Sequence, residues 1–245
     1  MNTLLFVCFD CFKCNVFVYA MSFISWTLKM TVVRSNALKL RTPFTMALYG
    51  STGSGKTFFM RKLLSSDVYD IPTKRVVYCY TEWQPVFEEM ERDGIEFYEG
   101  LPSKDEVDDW SSKREHMVIV LDDMIHLITN NIDVQHYFTA TSHHRNISII
   151  IISQNIFAQG KAARTISLNL HYIVLFRNMR DTAQVMTLAR QIMPSRTRYF
   201  MDAYTKATDR PYGYILVDLS PHTDKTYQLR TCILPGDVCV VYTPK

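Results

Sequence analysis

From Arg41 onward, short apolar runs alternate with amphipathic stretches. Phe44–Tyr49, Arg75–Tyr80, Ile95–Tyr98, His116–Leu121, Ile147–Ile152, His171–Phe176 and Tyr212–Asp218 are rich in β-branched and aromatic residues and read as strands. Between them, apolar spacing predicts helices over Lys56–Ser65, Phe87–Arg92, Lys104–Ser111, the stretch from Asp123 to about Thr141, Asp181–Ile192 and Arg196–Tyr204. The strand runs are apolar at nearly every position, where a strand wetted on one face would alternate. Such runs separated by helices predict an α/β fold: a mainly parallel sheet flanked by helices on both faces. Ligands of such sheets bind beyond the carboxyl ends of the strands.

Before Arg41 the pattern differs. Leu4–Leu28 is strongly apolar but is interrupted by Asp10 and Lys13, and its uninterrupted part, Val16–Leu28, is short for a membrane span. Met1-Asn2-Thr3 carries no basic n-region, so a signal peptide is not expected. A membrane anchor at residues 4–28 is disfavoured but stays open. Residues 1–40 are set apart as an apolar extension, and 41–245 as one catalytic domain; Met21 or Met30 could each begin a complete version of it.

The 245 residues are enough for one substantial domain. With 47% hydrophobic and 21% charged residues, the composition is that of a globular chain. A net charge of +3 neither announces nor excludes a nucleic-acid partner. Of the six cysteines, Cys79 and Cys239 sit in strand-like runs and read as buried thiols. Cys8, Cys11 and Cys14 fall one ligand short of the usual structural zinc set.

One motif dominates the chemistry. Gly50-Ser51-Thr52-Gly53-Ser54-Gly55-Lys56-Thr57 fits G-x-x-x-x-G-K-[ST], after an expected strand and before an expected helix. The glycines let main-chain amides turn toward phosphate oxygens, and the helix N-terminus adds partial positive charge. Lys56 is expected on the β- and γ-phosphates, and the Thr57 hydroxyl on Mg²⁺. The strand ending at Asp122-Asp123 supplies an acidic tip, with Asp122 for Mg²⁺ and Asp123 for polarising the attacking water. Gln154, at the end of another apolar run, is placed to sense the γ-phosphate. Arg145 and Arg164 flank that run and are arginine-finger candidates. His143-His144 lacks a carboxylate or cysteine partner at ligand spacing and reads as helix-end packing.

Five blocks carry a resemblance. Ser142–Ser148 running into Ile152–Phe157, then Arg164–Asn169, His171–Arg177 with Arg180-Asp181, and Pro211–Tyr214 into Asp218-Leu219 together resemble the FtsK/HerA-type DNA-packaging ATPases of double-stranded DNA viruses. The likeness is nearest to polinton-like and adintovirus-like elements and more distant to the poxvirus packaging ATPase. It spans roughly Thr42–Leu219 and implies a RecA/FtsK-HerA-like P-loop NTPase. By position it gives Lys56, Thr57, Asp122, Asp123 and Gln154 the roles above, and implies an arginine acting in trans without choosing between Arg145 and Arg164. It further implies ATP and Mg²⁺ as ligands, a ring, expected to be a hexamer, that threads double-stranded DNA without reading its sequence, and capsid proteins as further partners. Its expected setting is the nucleus or cytoplasm of a host cell, or the virion. Arg177, Arg180, Arg190, Arg196, Arg198, Lys206 and Arg210 form a basic series that could contact DNA phosphates.

Two other classes fit the loop motif alone. A nucleotide or small-molecule kinase would transfer the γ-phosphate to an acceptor; no arginine-rich lid or acceptor pocket is evident. A non-catalytic assembly switch would not need the Asp122-Asp123 pair.

Overall fold

The computed structural model describes residues 8–11, 16–19, 28–33, 38–112, 115–128, 145–158 and 161–245. The expected helix beyond Ile128, the pair His143-His144, Cys14 and the side chains of Cys8 and Cys11 lie outside the described residues.

Among the described residues, twelve strands form one sheet. In chain order they are β1 (Cys8–Cys11), β2 (Val16–Tyr19), β3 (Leu28–Val33), β4 (Thr45–Tyr49), β5 (Arg75–Tyr80), β6 (Glu96–Glu99), β7 (Met117–Asp122), β8 (Ile147–Ser153), β9 (Tyr172–Phe176), β10 (Tyr214–Asp218), β11 (Leu229–Thr231) and β12 (Cys239–Pro244). Across the sheet the order is β1-β2-β3-β12-β11-β10-β9-β4-β8-β7-β5-β6. The six strands from β9 to β6 are parallel. The other six join by antiparallel pairing. The sheet is therefore mixed: the expected parallel arrangement holds for the half that carries the loop motif, and an antiparallel wing extends it. β3 belongs to that wing, so the sheet takes in part of the stretch set apart as residues 1–40.

Hydrophobic pattern explains the layering. β4, β7, β8, β9 and β10 are buried at every position, as interior strands covered on both faces must be. Edge strand β6, by contrast, is exposed at both ends. Alternate residues of each central strand feed different cores. Met46 and Leu48 of β4 join Phe59, Met60 and Leu63 of α1 (Lys56–Leu64), and Phe87 and Met90 of α2 (Val86–Arg92). Ala47 and Tyr49 pack with Val185, Leu188 and Ala189 of α6 (Thr182–Ile192) and with Phe200 and Ala203 of α7 (Thr197–Ala207). Further along that second face, Ile149 and Ile151 meet Val107 of α3 (Lys104–Trp110), Ile128 of α4 (Ile125–Ile128) and Ile166 of α5 (Lys161–Leu168).

α1 is the helix that matters most for the site. Phe59 fastens it: its ring lies 4.6 Å from that of Tyr214 and 5.6 Å from that of Phe176, both edge-on, between β9 and β10. Truncating such a buried aromatic typically costs about 3–5 kcal/mol. Near the amino ends of the parallel strands, Ser148 of β8 is a polar residue within an isoleucine run. Its hydroxyl accepts from Phe44 N at 3.1 Å and pairs with His116 Nε2 at 2.8 Å, so its burial is compensated.

Candidate functional site

Strand register sets the site. Tyr49 of β4 is level with Ser153 of β8 and with Leu175 of β9, and Asp122 of β7 is level with Ile152 of β8. The residues that follow these strands, Gly50, Asp123, Gln154 and Arg177, therefore emerge at one edge, where parallel sheets bind ligands.

Gly50–Thr57 forms the loop from β4 into α1. Gly50 has no room for a side chain: a Cβ there would lie 2.6 Å from Ser54 Oγ and 2.7 Å from Phe176 Cβ. Gly55 caps α1 in the left-handed region, at φ 99°. The Lys56 ammonium folds over the loop and donates to the carbonyls of Gly50 at 2.7 Å and Ser51 at 2.9 Å. Two of its three donors are used there, and the third is left for an acceptor above the loop. Burial pulls the Lys56 pKa down, and the charges of Asp122 and Asp123 only partly restore it.

The acidic tip is divided by environment. Asp122 is buried, and burial raises its pKa; the hydrogen bond from Tyr78 and the charge of Lys56 act against that rise. Tyr78 Oη donates to Asp122 Oδ2 at 2.7 Å from a fully buried ring, fixing one carboxylate oxygen. Asp123 is exposed and holds φ at 53°, a left-handed conformation that aspartate tolerates better than most residues. Gln154 Nε2 lies 3.4 Å from Asp123 Oδ2.

Gly53, Gly55, Lys56, Thr57, Asp122, Asp123 and Gln154 all line one cavity of about 810 Å³. Phe58, Tyr80, Thr81, Glu82, His126 and Tyr212 also line it. The cavity suits a magnesium nucleotide on two counts. Gly53 and Gly55 of the loop line it at positive φ, 74° and 99°, beside a Lys56 ammonium with a donor to spare. The Thr57 hydroxyl and the Asp122 carboxylate are the oxygen donors a hard cation takes. Among the described residues, no group of three or more His, Cys, Asp or Glu gathers as a metal site.

The two candidate arginines are elsewhere in this chain. Arg145 precedes β8, at the opposite end of the strand from Gln154, roughly 20 Å away by strand rise. There its guanidinium pairs with Asp108 at 2.5 Å and with Ser111 Oγ at 3.4 Å. Arg164 is exposed on α5 and lines a separate, largely apolar cavity of about 520 Å³. A third cleft, of about 900 Å³, borders the loop at Ser51–Ser54 and takes in Arg177, Arg180 and Arg210 of the basic series. Arg190, Arg196 and Arg198 are exposed farther along the chain, on and beside α6 and α7.

Sequence reasoning gives no role to Tyr78 or Tyr212. Tyr78 reads only as a strand residue, and nothing in the chain marks a phenol aimed at the neighbouring strand. Tyr212 is expected as the first residue of a strand, but β10 starts only at Tyr214, and its place between Pro211 and Gly213 is the signal for a turn that the strand reading passes over. Its φ of 57° is an outlier for a bulky residue, a conformation costing about 1–3 kcal/mol.

No protein-family model matches the sequence, and no curated protein matches it. The structure is similar to solved ones. The DNA-packaging ATPase of Sulfolobus turreted icosahedral virus aligns at a TM-score of 0.50 and 9% identity, covering 74% of this chain and 94% of that one. The genome-packaging NTPase of Sulfolobus turreted icosahedral virus 2, in complex with ATP-gammaS, gives 0.49 and 11%, covering 74% and 94%. The cytoplasmic domain of the type VII secretion ATPase EccC of Thermomonospora curvata gives 0.46 and 14%, covering 82% of this chain and 25% of that one. The first of these shows a shared fold, and at 9% identity it shows the fold alone.

Proposed function

We propose that this chain binds ATP with Mg²⁺ at Gly50–Thr57 and hydrolyses it. Turnover would drive double-stranded DNA through a ring of identical subunits, as in packaging of a viral or virus-like genome. One observation carries the hydrolytic part: a glycine-rich cradle, its lysine, a buried carboxylate and an exposed Asp–Gln pair share a single cavity at the carboxyl ends of parallel strands.

The chain's own groups divide the work. Amides of the loop and the Lys56 ammonium hold the phosphates. Thr57 and Asp122 would hold Mg²⁺, which when bound neutralises phosphate charge as the leaving oxygen departs. Tyr78 keeps Asp122 from rotating. Asp123 offers its second carboxylate oxygen to take the proton of an attacking water, and Gln154 offers its amide carbonyl to orient that water. Arg164, exposed beyond β8, is the better of the two finger candidates for a neighbouring subunit, because Arg145 is engaged with Asp108.

The DNA part is supported by the fold shared with a DNA-packaging ATPase and by the six exposed arginines of the basic series, Arg177, Arg180, Arg190, Arg196, Arg198 and Arg210. Phosphate release by the purified chain, with and without duplex DNA, tests both layers. Magnesium-dependent hydrolysis stimulated by duplex of any sequence is expected. Hydrolysis that DNA never stimulates, in any oligomeric state, contradicts the motor; transfer of phosphate to a small acceptor favours the kinase class instead.

A further inference from the structure

β10 runs against β9, so its amino end, not its carboxyl end, lies at the phosphate-loop edge. The turn that feeds it is brought to that edge as well. This turn is tight: Gly213 N donates to Arg210 O at 3.0 Å, and a Cβ on Gly213 would lie 2.5 Å from the Ala207 carbonyl. Pro211 occupies its second position and Tyr212 its third, where a positive φ usually calls for glycine.

The result is an aromatic ring laid on the cradle. A Cβ on Gly55 would lie 2.8 Å from Tyr212 Cδ1 and 3.3 Å from its Cγ. The Tyr212 ring centre is 6.5 Å from that of Phe58, with the planes 40° apart. Phe58 follows Thr57 in the first turn of α1. Both side chains are mostly exposed, at 65% and 57%, and both line the cavity that holds Lys56, Thr57 and Asp122. Two large rings thus stand exposed beside a phosphate cradle: the Lys62 ammonium lies over Phe58, 4.7 Å from its centre, and Tyr212 sits on a backbone conformation that tyrosine rarely adopts.

We propose that Tyr212, with Phe58 beside it, is the platform on which the base of the bound nucleotide stacks. The proposal rests on the triphosphate reading of the loop and extends it to the other end of the ligand. Amides and an ammonium grip phosphates and are blind to what the phosphates carry. The base of a nucleoside triphosphate is one ribose away from them, and Tyr212 and Phe58 flank the residues that would hold them. Stacking uses the π-face that every base has, so the platform adds affinity without choosing among bases. The ligand class is therefore a nucleoside triphosphate of any base.

The test compares equilibrium binding of Mg·ATP, Mg·GTP and Mg·tripolyphosphate to the full chain and to Tyr212→Ala, Tyr212→Gly and Tyr212→Trp. The wild type should bind all three, the nucleotides more tightly. Tyr212→Ala should weaken ATP and GTP alike, by about 5- to 150-fold, and leave tripolyphosphate within about twofold. Tyr212→Gly should show the same selective loss, which separates the ring from its strained backbone, because glycine adopts positive φ freely. Tyr212→Trp should keep nucleotide affinity, with indole fluorescence that responds to ATP and not to tripolyphosphate. Equal weakening of all three ligands in Tyr212→Ala overturns the proposal, since the ring would then only shape the loop; unchanged ATP affinity overturns it too. A wild type that binds tripolyphosphate and ATP equally well overturns the platform alone, whereas one that binds neither overturns the triphosphate reading together with it.

Discussion

The two halves of the sheet use their strand ends differently. In the parallel half, β9 to β6, every strand points the same way, so every carboxyl end opens at one edge. Gly50, Thr81, Asp123, Gln154 and Arg177 reach that edge from five different strands, and the first four share a neighbourhood without any strand bending toward it. In the antiparallel half the strands alternate, and each edge receives only every other connection. That half contributes one turn to the site, through the amino end of β10. The carboxyl end of β10 lies at the far edge. There Asp218 meets Arg230 at 2.7 Å, both side chains almost fully buried, with Arg230 Nε lacking a partner among the described residues. One half collects chemically loaded groups around a cavity; the other buries the Asp218–Arg230 pair in structure.

The sharpest way to break this contrast is at the acidic tip. Asp123→Asn should lower the turnover number about 10²- to 10⁴-fold, the range of a lost general base, with nucleotide affinity kept. Steady-state phosphate release beside a binding titration reads both, and full activity in the variant would remove Asp123 from the chemistry. In the other half, Asp218→Ala should cost about 3–5 kcal/mol of stability in urea unfolding, because it strands a buried guanidinium. Removing both partners in Asp218→Leu/Arg230→Met should cost less than Asp218→Ala alone. Tripolyphosphate affinity of the folded double variant should match the wild type, and a loss there would mean that the two halves are not separable.

Tyr78→Phe probes how the fold positions a ligand from within. It should raise the Mg²⁺ concentration needed for half-maximal ATP binding about tenfold or more, as lost outer-shell hydrogen bonds do, with little change in stability at saturating metal. The smallest effect concerns pH. Burial holds His116 below the ordinary histidine value of 6.5, with Asp70 pulling weakly the other way, while Ser148 and Thr73 meet its ring nitrogens and Tyr69 its face. A depressed histidine pKa gives stability that is fully present above the unfolded value and is lost as pH falls through the folded one. Melting temperature should therefore fall below about pH 6.5, and His116→Gln should remove part of that slope. Identical slopes would assign the loss to other groups.

The same division governs what the sequence reveals. β5 runs over the expected residues, and β4, β7, β8 and β9 fall within a residue of the expected ends, because strands covered on both faces must be apolar throughout. The loop motif is legible because phosphate binding requires glycines and a lysine at fixed spacing. After Asp218 only the run at Cys239 is expected as strand-like, and β12 forms there, whereas β11 is not expected. β11 is three residues, Leu-Arg-Thr, whose arginine is buried only because Asp218 neutralises it from the next strand. β12 ends in a proline and pairs with β3, more than two hundred residues earlier, a match no local pattern announces. In the candidate site, Thr52, Gly53, Gly55, Lys56 and Thr57 of the motif share a cavity with Asp122, Asp123 and Gln154, whereas the contacts of Tyr78 and Tyr212 exist only once strands are side by side.

The central claim is that the common edge of the parallel strands is a triphosphate pocket. Calorimetric titration of the full chain with Mg·ATP, repeated on Lys56→Ala, tests it most directly. One saturable site per chain is expected in the wild type, and its loss in the variant. No saturable binding in the wild type, or equal binding in both, would contradict it.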